Sequence, residues 1–203
     1  MANHLHSDDL PAGLDLGPVV AIDTETMGLR LGRDRLCVVQ LSAGDGDAHV
    51  VRIPSGQRAA PRLEALLANR EVLKLFHFGR FDIAVLQNRF GVDIAPVYCT
   101  KIASKLARTY TQRHGLRDLV KEIVGIELSK EQQSSDWGRD VLTAEQLDYA
   151  AADVLHLHNL RAALDEILER EGRTQLAEAC FRFLPELVRL DAAGWHDLDI
   201  FAH

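Results

Sequence analysis

The sequence has no apolar run of about 18 residues, so no membrane span is expected. Its first residues, MANHLHSDDL, lack the basic head and apolar stretch of a secretory signal. Cysteine is scarce. Cys37, Cys99 and Cys180 are scattered, with no CxxC pair. That argues against a disulfide scaffold or a cysteine-type zinc site, and fits a reducing cytoplasm. Aromatics are only 6%, low for a module that stacks RNA bases. Basic charge is short as well: 23 Lys and Arg face 30 Asp and Glu, a net charge of −7. A protein that grips a long nucleic acid needs a basic face. Any nucleic-acid partner of this chain is therefore expected to be short or locally held. What remains is 203 residues, 47% hydrophobic, enough for one domain with a sizeable core.

Residues 1–17 are polar and rich in Gly, Pro and Asp, and read as an N-terminal arm. VVAID from Val19 suits a buried strand. Residues 36–42 and 48–53 are two more apolar runs, split by GDGD at 44–47, and read as a hairpin. Pro61 opens a helix with Leu63, Leu66 and Leu67 on one face. A fourth strand follows at 72–76, a helix at 80–90 ending before Gly91, and a short fifth strand near Val97 and Tyr98. Beyond Thr100 the pattern is helical. Capping boxes stand at Ser129/Gln132 and Thr143/Gln146, the second opening a long helix that stops at Gly172. The order of elements predicts a three-layer α/β domain with a mixed sheet over residues 18–193, and a C-terminal docking tail over 194–203.

Three short motifs carry chemistry. Asp23 and Glu25 lie two apart at the end of an apolar strand, so both side chains face one way. Paired carboxylates repel unless a cation sits between them, and hard divalent cations prefer oxygen ligands. Asp82 falls in the first turn of a helix; alone it reads as a partner of the helix dipole. Tyr149 and Asp153 are spaced i, i+4 and share a helix face, with only alanines between them.

Together, DxE, then FD, then YxxxD, with SSDW at 134–137, resemble the DEDDy 3′–5′ exonucleases of the ribonuclease D type. The resemblance implies a ribonuclease H-like (DnaQ-like) fold with a five-stranded mixed sheet whose second strand is antiparallel. DRLCVVQLSAGDGDA, FHFGRFDIAVL, CTKIASKLARTYTQRHGL and GWHDLDIFAH resemble, more narrowly, the nano-RNase C family of small oligoribonucleases that act on dinucleotides. On this resemblance the chain is expected to lack the helical RNA-binding domains that follow the exonuclease domain in ribonuclease D. The same resemblance implies two divalent ions, Mg²⁺ or Mn²⁺. Asp23 would bridge them, Glu25 and Asp153 would complete the site that activates water, and Asp82 would hold the second ion. Tyr149 would orient the attacking water. Leu29 would wedge between the terminal bases, with a core leucine as the alternative reading of that residue. Thr24, His77 and Phe78 would border the substrate.

Segment 101–121 carries Lys101, Lys105, Arg108, Arg113, Arg117 and Lys121 against one acid, Asp118. Its net charge of +5 leaves −12 on the rest of the chain. Arg108, Arg113 and His114 are candidates for holding a substrate 5′-phosphate. In the tail, Trp195, Leu198, Ile200 and Phe201 are expected to dock on their own domain or on a neighbour. The resemblance favours a neighbour, in a homo-oligomeric ring. The expected activity is therefore exoribonucleolytic cleavage of short RNA, mainly dinucleotides. A broader exonuclease on longer RNA or DNA is the alternative. A catalytically dead binding module is disfavoured, because all five catalytic positions hold competent residues.

Overall fold

The computed structural model describes residues 2–56, 59–129, 131–196 and 198–202. Its strands are β1 (Asn3–Ser7), β2 (Val19–Thr26), β3 (Leu36–Ser42), β4 (Ala48–Arg52), β5 (Leu73–Phe76) and β6 (Val97–Cys99). They form one sheet in the order β1-β4-β3-β2-β5-β6. β3 runs antiparallel to both neighbours, β2 and β4, and every other pairing is parallel. The hairpin and the single reversed strand are as the sequence predicts. All seven residues of β3 are buried. That is why it reads as an unbroken apolar run rather than an alternating one.

The sheet has six strands, not five. Residues 3–7, expected to lie in an arm, pair with β4 in parallel from Asn3↔Ala48 to Ser7↔Arg52. The segment behind them is also tied down. Leu10 and Leu16 are buried in the core. The Asp9 carboxylate accepts the backbone N–H groups of Arg62 (3.0 Å) and Leu63 (2.9 Å), in the first turn of α1 (Pro61–Ala68). An edge strand leaves its side chains largely in solvent, so NHLHS carries no apolar signature.

The other α-helices are α2 (Arg80–Phe90), α3 (Thr100–Ala107), α4 (Leu116–Leu119), α5 (Ala144–Leu155), α6 (Leu157–Arg170) and α7 (Thr174–Leu190), with π-helical turns at Val120–Val124 and Asp191–Trp195. α2 stops at Gly91, whose φ of 69° suits a residue without a Cβ. The Thr143/Gln146 box is formed in both directions and opens α5. The helix predicted from there to Gly172 is broken at His156. α5 packs on β2, β3 and β4, whereas α6 packs on α3, and the break lets the chain leave the sheet. Among the described residues between Ser129 and Thr143 no helix forms. The Ser129 hydroxyl accepts from the Glu131 N–H in a turn, because the polar run after it has no apolar face to bury. Among the described residues, no helix is long and apolar enough to cross a membrane.

Candidate active site

β2 enters the sheet as Val20, Ala21 and Ile22, all fully buried, and then turns polar. Asp23 and Glu25 follow on one face of the strand. α5 packs across that strand through small side chains: Ala150 and Ala151 are buried, which lets the helix backbone approach the sheet. Asp153, one turn further along, meets the strand carboxylates. One oxygen each of Asp23, Glu25 and Asp153 lie within 4.8 Å of one another. Asp82 arrives from the first turn of α2 and is buried. Its Oδ1 accepts a 2.6 Å hydrogen bond from the Thr24 hydroxyl.

Electrostatics bind these four groups into one site. Burial, and then the charges of Asp82, Asp153 and Glu25, push the Asp23 carboxyl well above the usual carboxylate range. Burial, Asp153 and Asp82 raise Glu25 to about 9. Burial raises Asp82 to about 7, against the opposing pull of the Thr24 hydroxyl. Burial and Asp82 raise Asp153 to about 7. Every charge acting on Glu25 is another carboxylate. An all-oxygen cluster with so much uncompensated charge suits a hard divalent cation.

Tyr149 is partly buried, its ring 6.0 Å from that of Trp137. Burial and then the charges of Asp153, Glu25 and Asp23 raise its phenol above the normal value, so it stays protonated. It can direct a hydrogen bond but cannot act as a base near neutral pH. The cleft around these groups has a volume of about 1010 Å³. Leu29 lines it and is 82% exposed, which removes the core reading of that residue. Phe78 lines it too, with a left-handed φ of 62° and the Lys101 ammonium 4.1 Å from its ring centre. His77 pairs through Nδ1 with the Thr100 hydroxyl at 2.8 Å. Burial and the Lys101 charge lower its pKa to about 3, so it is neutral at working pH.

The basic segment divides. Lys101, Arg113, Arg117 and Lys121 line the cleft. Arg108 does not. It is 2% exposed, ion-paired with Glu122, and donates to the Arg113 carbonyl at 3.1 Å. His114 is also buried, its Nδ1 paired with the Ser104 hydroxyl at 2.8 Å. Both were expected to hold a phosphate, and both instead shape the loop that presents Arg113. The sequence hides this because Glu122 lies fourteen residues from its partner.

Arg35 escaped the sequence reading, and Gln146 was read there only as part of a helix cap. Arg35 donates to the carbonyls of Ile53 (3.0 Å) and Gly138 (3.0 Å), tying the loop that carries Trp137 to the sheet. Gln146 donates to the Ser135 hydroxyl and the Asp136 carbonyl of that loop while also capping α5.

Comparison with known proteins agrees with this geometry. Residues 7–169 match the sequence pattern of a 3′–5′ exonuclease family. Ribonuclease D of Granulibacter bethesdensis is 39% identical over 170 residues, covering 82% of this chain and 42% of that protein. The chain thus spans well under half the length of that curated relative. Brucella melitensis NrnC with bound Mg²⁺ is 55% identical, with a TM-score of 0.95 and 100% coverage of both chains. The same NrnC bound to pGG is 56% identical, with a TM-score of 0.95 and 98% coverage of both. The carboxylates that converge from β2, α2 and α5 thus sit in a chain that belongs to the 3′–5′ exonuclease family, alongside ribonuclease D and NrnC.

Proposed function

We propose that this protein is a two-metal 3′–5′ exoribonuclease that hydrolyses short RNA, mainly 5′-phosphorylated dinucleotides, to nucleoside 5′-monophosphates. The observation that carries the reading is the convergence of Asp23, Glu25 and Asp153, with Asp82 behind them, at the floor of an open cleft. Asp23, Glu25, Asp82 and Asp153 would hold the cations, Mg²⁺ or Mn²⁺. Divalent ions bound there supply a lowered pKa for water and compensation of phosphate charge. The chain's own groups do the rest. Tyr149 directs the water through its hydroxyl. Leu29 and Phe78 offer apolar surfaces to the bases. Lys101, Arg113, Arg117 and Lys121 draw the phosphates into an otherwise acidic protein.

The short-substrate reading draws on the pGG bound to the NrnC relative and on charge. A long polyanion leaving the local basic rim meets a net negative surface. A dinucleotide offers few atoms, so its 5′-phosphate must supply much of the affinity. Removing that phosphate, or Arg113→Ala, should weaken dinucleotide binding by about 1.5–3 kcal/mol per charged hydrogen bond lost. The deciding measurement is kcat/KM for RNA of two nucleotides against five to ten, at one salt concentration, in Mg²⁺ and then in chelator. A higher value for the dinucleotide is expected. Equal or faster cleavage of longer strands would transfer the reading to a broader exonuclease.

Assembly is a second proposal, carried by the tail. Trp195, Leu198, Ile200 and Phe201 are each at least 45% exposed, and the Phe201 ring lies 6.1 Å from that of Phe183. Four large apolar groups in solvent suit a subunit contact in a homo-oligomeric ring. Truncation before Gly194 should lower the mass seen in light scattering. A full-length chain that is monomeric at micromolar concentration excludes the contact.

A further inference from the structure

Gln40 sits in the middle of β3 and is fully buried. Its register partners are Asp23 on β2 and Val50 on β4. The side-chain Nε2 donates to Asp23 Oδ2 at 3.2 Å. Its Oε1 is buried with no hydrogen-bond partner among the described residues. A strand otherwise filled by Leu, Cys, Val and Ser has thus taken an amide and left half of it unsatisfied. An apolar side chain would fill the same slot without stranding a buried acceptor. With a cation holding Asp23 ionised, the reverse amide orientation would set Oε1 against a carboxylate oxygen, so the metal-bound site fits the donor end. Among the described residues, the amide's hydrogen bond is therefore with the carboxylate that all three other acids repel. Asp23 also accepts from the Thr24 backbone N–H.

We propose that Gln40 is a positioning residue for Asp23, holding its carboxylate in a fixed rotation for a divalent cation. This rests on the metal-dependent reading of the site. Without the amide, Asp23 can rotate away from its crowded neighbours, and a cation must first bring it back. Hydrogen-bond partners behind a metal ligand typically change metal affinity by about 10–100-fold.

The test is the Mg²⁺ concentration at the midpoint of the metal-dependent rise in Tm, cross-checked by titration calorimetry. It uses the wild type, Gln40→Met, Val50→Ala and Asp23→Asn. Gln40→Met keeps the length of the side chain and removes the donor. Its midpoint should move about 10–100-fold upward, with a metal-free Tm equal to or above that of the wild type and activity recovering at high Mg²⁺. Val50→Ala disturbs packing on the other side of Gln40. It should lower the metal-free Tm and leave the midpoint in place, which is the pattern a purely structural Gln40 would give. Were Gln40→Met unfolded by circular dichroism, Gln40→Leu is read in the same way. A wild-type midpoint in the folded Gln40 variant overturns the role of Gln40 alone. A metal-dependent rise in Asp23→Asn equal to that of the wild type overturns the site reading, and this role with it.

Discussion

Asp23→Asn should abolish the proposed Mg²⁺-dependent cleavage of short RNA while the protein stays folded. The expected fall in kcat is about 10³-fold or more, since a metal-assisted site supplies several kcal/mol and each 1.36 kcal/mol is tenfold. Asp23 is the residue on which burial, Asp82, Asp153 and Glu25 all act. Asparagine matches its shape, keeps an oxygen, and removes the charge that a divalent cation needs. The folded control is part of the prediction, because the same change relieves repulsion. Substantial turnover in a folded Asp23→Asn protein would remove Asp23 from the metal site.

The sign of the stability effect follows from proton linkage. Glu25 moves from 4.5 to about 9, and Asp82 and Asp153 from 3.8 to about 7. Each folded carboxyl binds its proton more tightly than the unfolded one. The folded state therefore holds more protons between about pH 4 and pH 9, and stability falls as pH rises through that window. The contribution of these groups is fully present below the unfolded values and is lost through the folded ones. Metal-free protein should melt at lower temperature at pH 8 than at pH 5. Asp23→Asn should melt above the wild type at pH 8, by about 2–4 °C for each kcal/mol relieved. Mg²⁺ should raise the wild-type Tm at pH 8 more than at pH 5.

Most of the cluster at the floor of the cleft was legible in the sequence because its pairings are local. Asp23 and Glu25 show their shared face through strand alternation, and Tyr149 and Asp153 through one helical turn. What brings α5 down to β2 is also visible, as the alanines between Tyr149 and Asp153. β1 was not legible, because an edge strand exposes both faces and NHLHS shows no alternation. The role of Arg108 was hidden for a different reason. A basic residue in a basic segment reads as surface, and only the fold reveals that Glu122 draws it inward. Gln40 failed on both counts: its partner Asp23 is 17 positions away on another strand, and one amide in LCVVQLS carries no pattern at all.

Tyr149→Phe should reduce kcat by about 10–1000-fold, the range of one positioned catalytic hydrogen bond. The argument starts from the helix. The i, i+4 spacing stacks Tyr149 on the face that also carries Asp153, and the capping box at Thr143 fixes where that face begins. The Tyr149 ring leans toward Trp137 at 6.0 Å and packs with the small apolar cluster under α5. Phenylalanine keeps that packing and removes only the oxygen. The phenol is held protonated by burial and by three carboxylates, so no ionisation of Tyr149 enters the working pH range. The pH profile of the variant should therefore keep its shape while its height drops. KM and the Mg²⁺ midpoint should stay close to the wild type, because the proposed action of the hydroxyl is on the water and not on the cation or the bases. A packing defect would instead lower Tm and move KM and kcat together. Wild-type kcat in Tyr149→Phe would leave the residue as a wall of the cleft and return the orientation of water to the carboxylates alone.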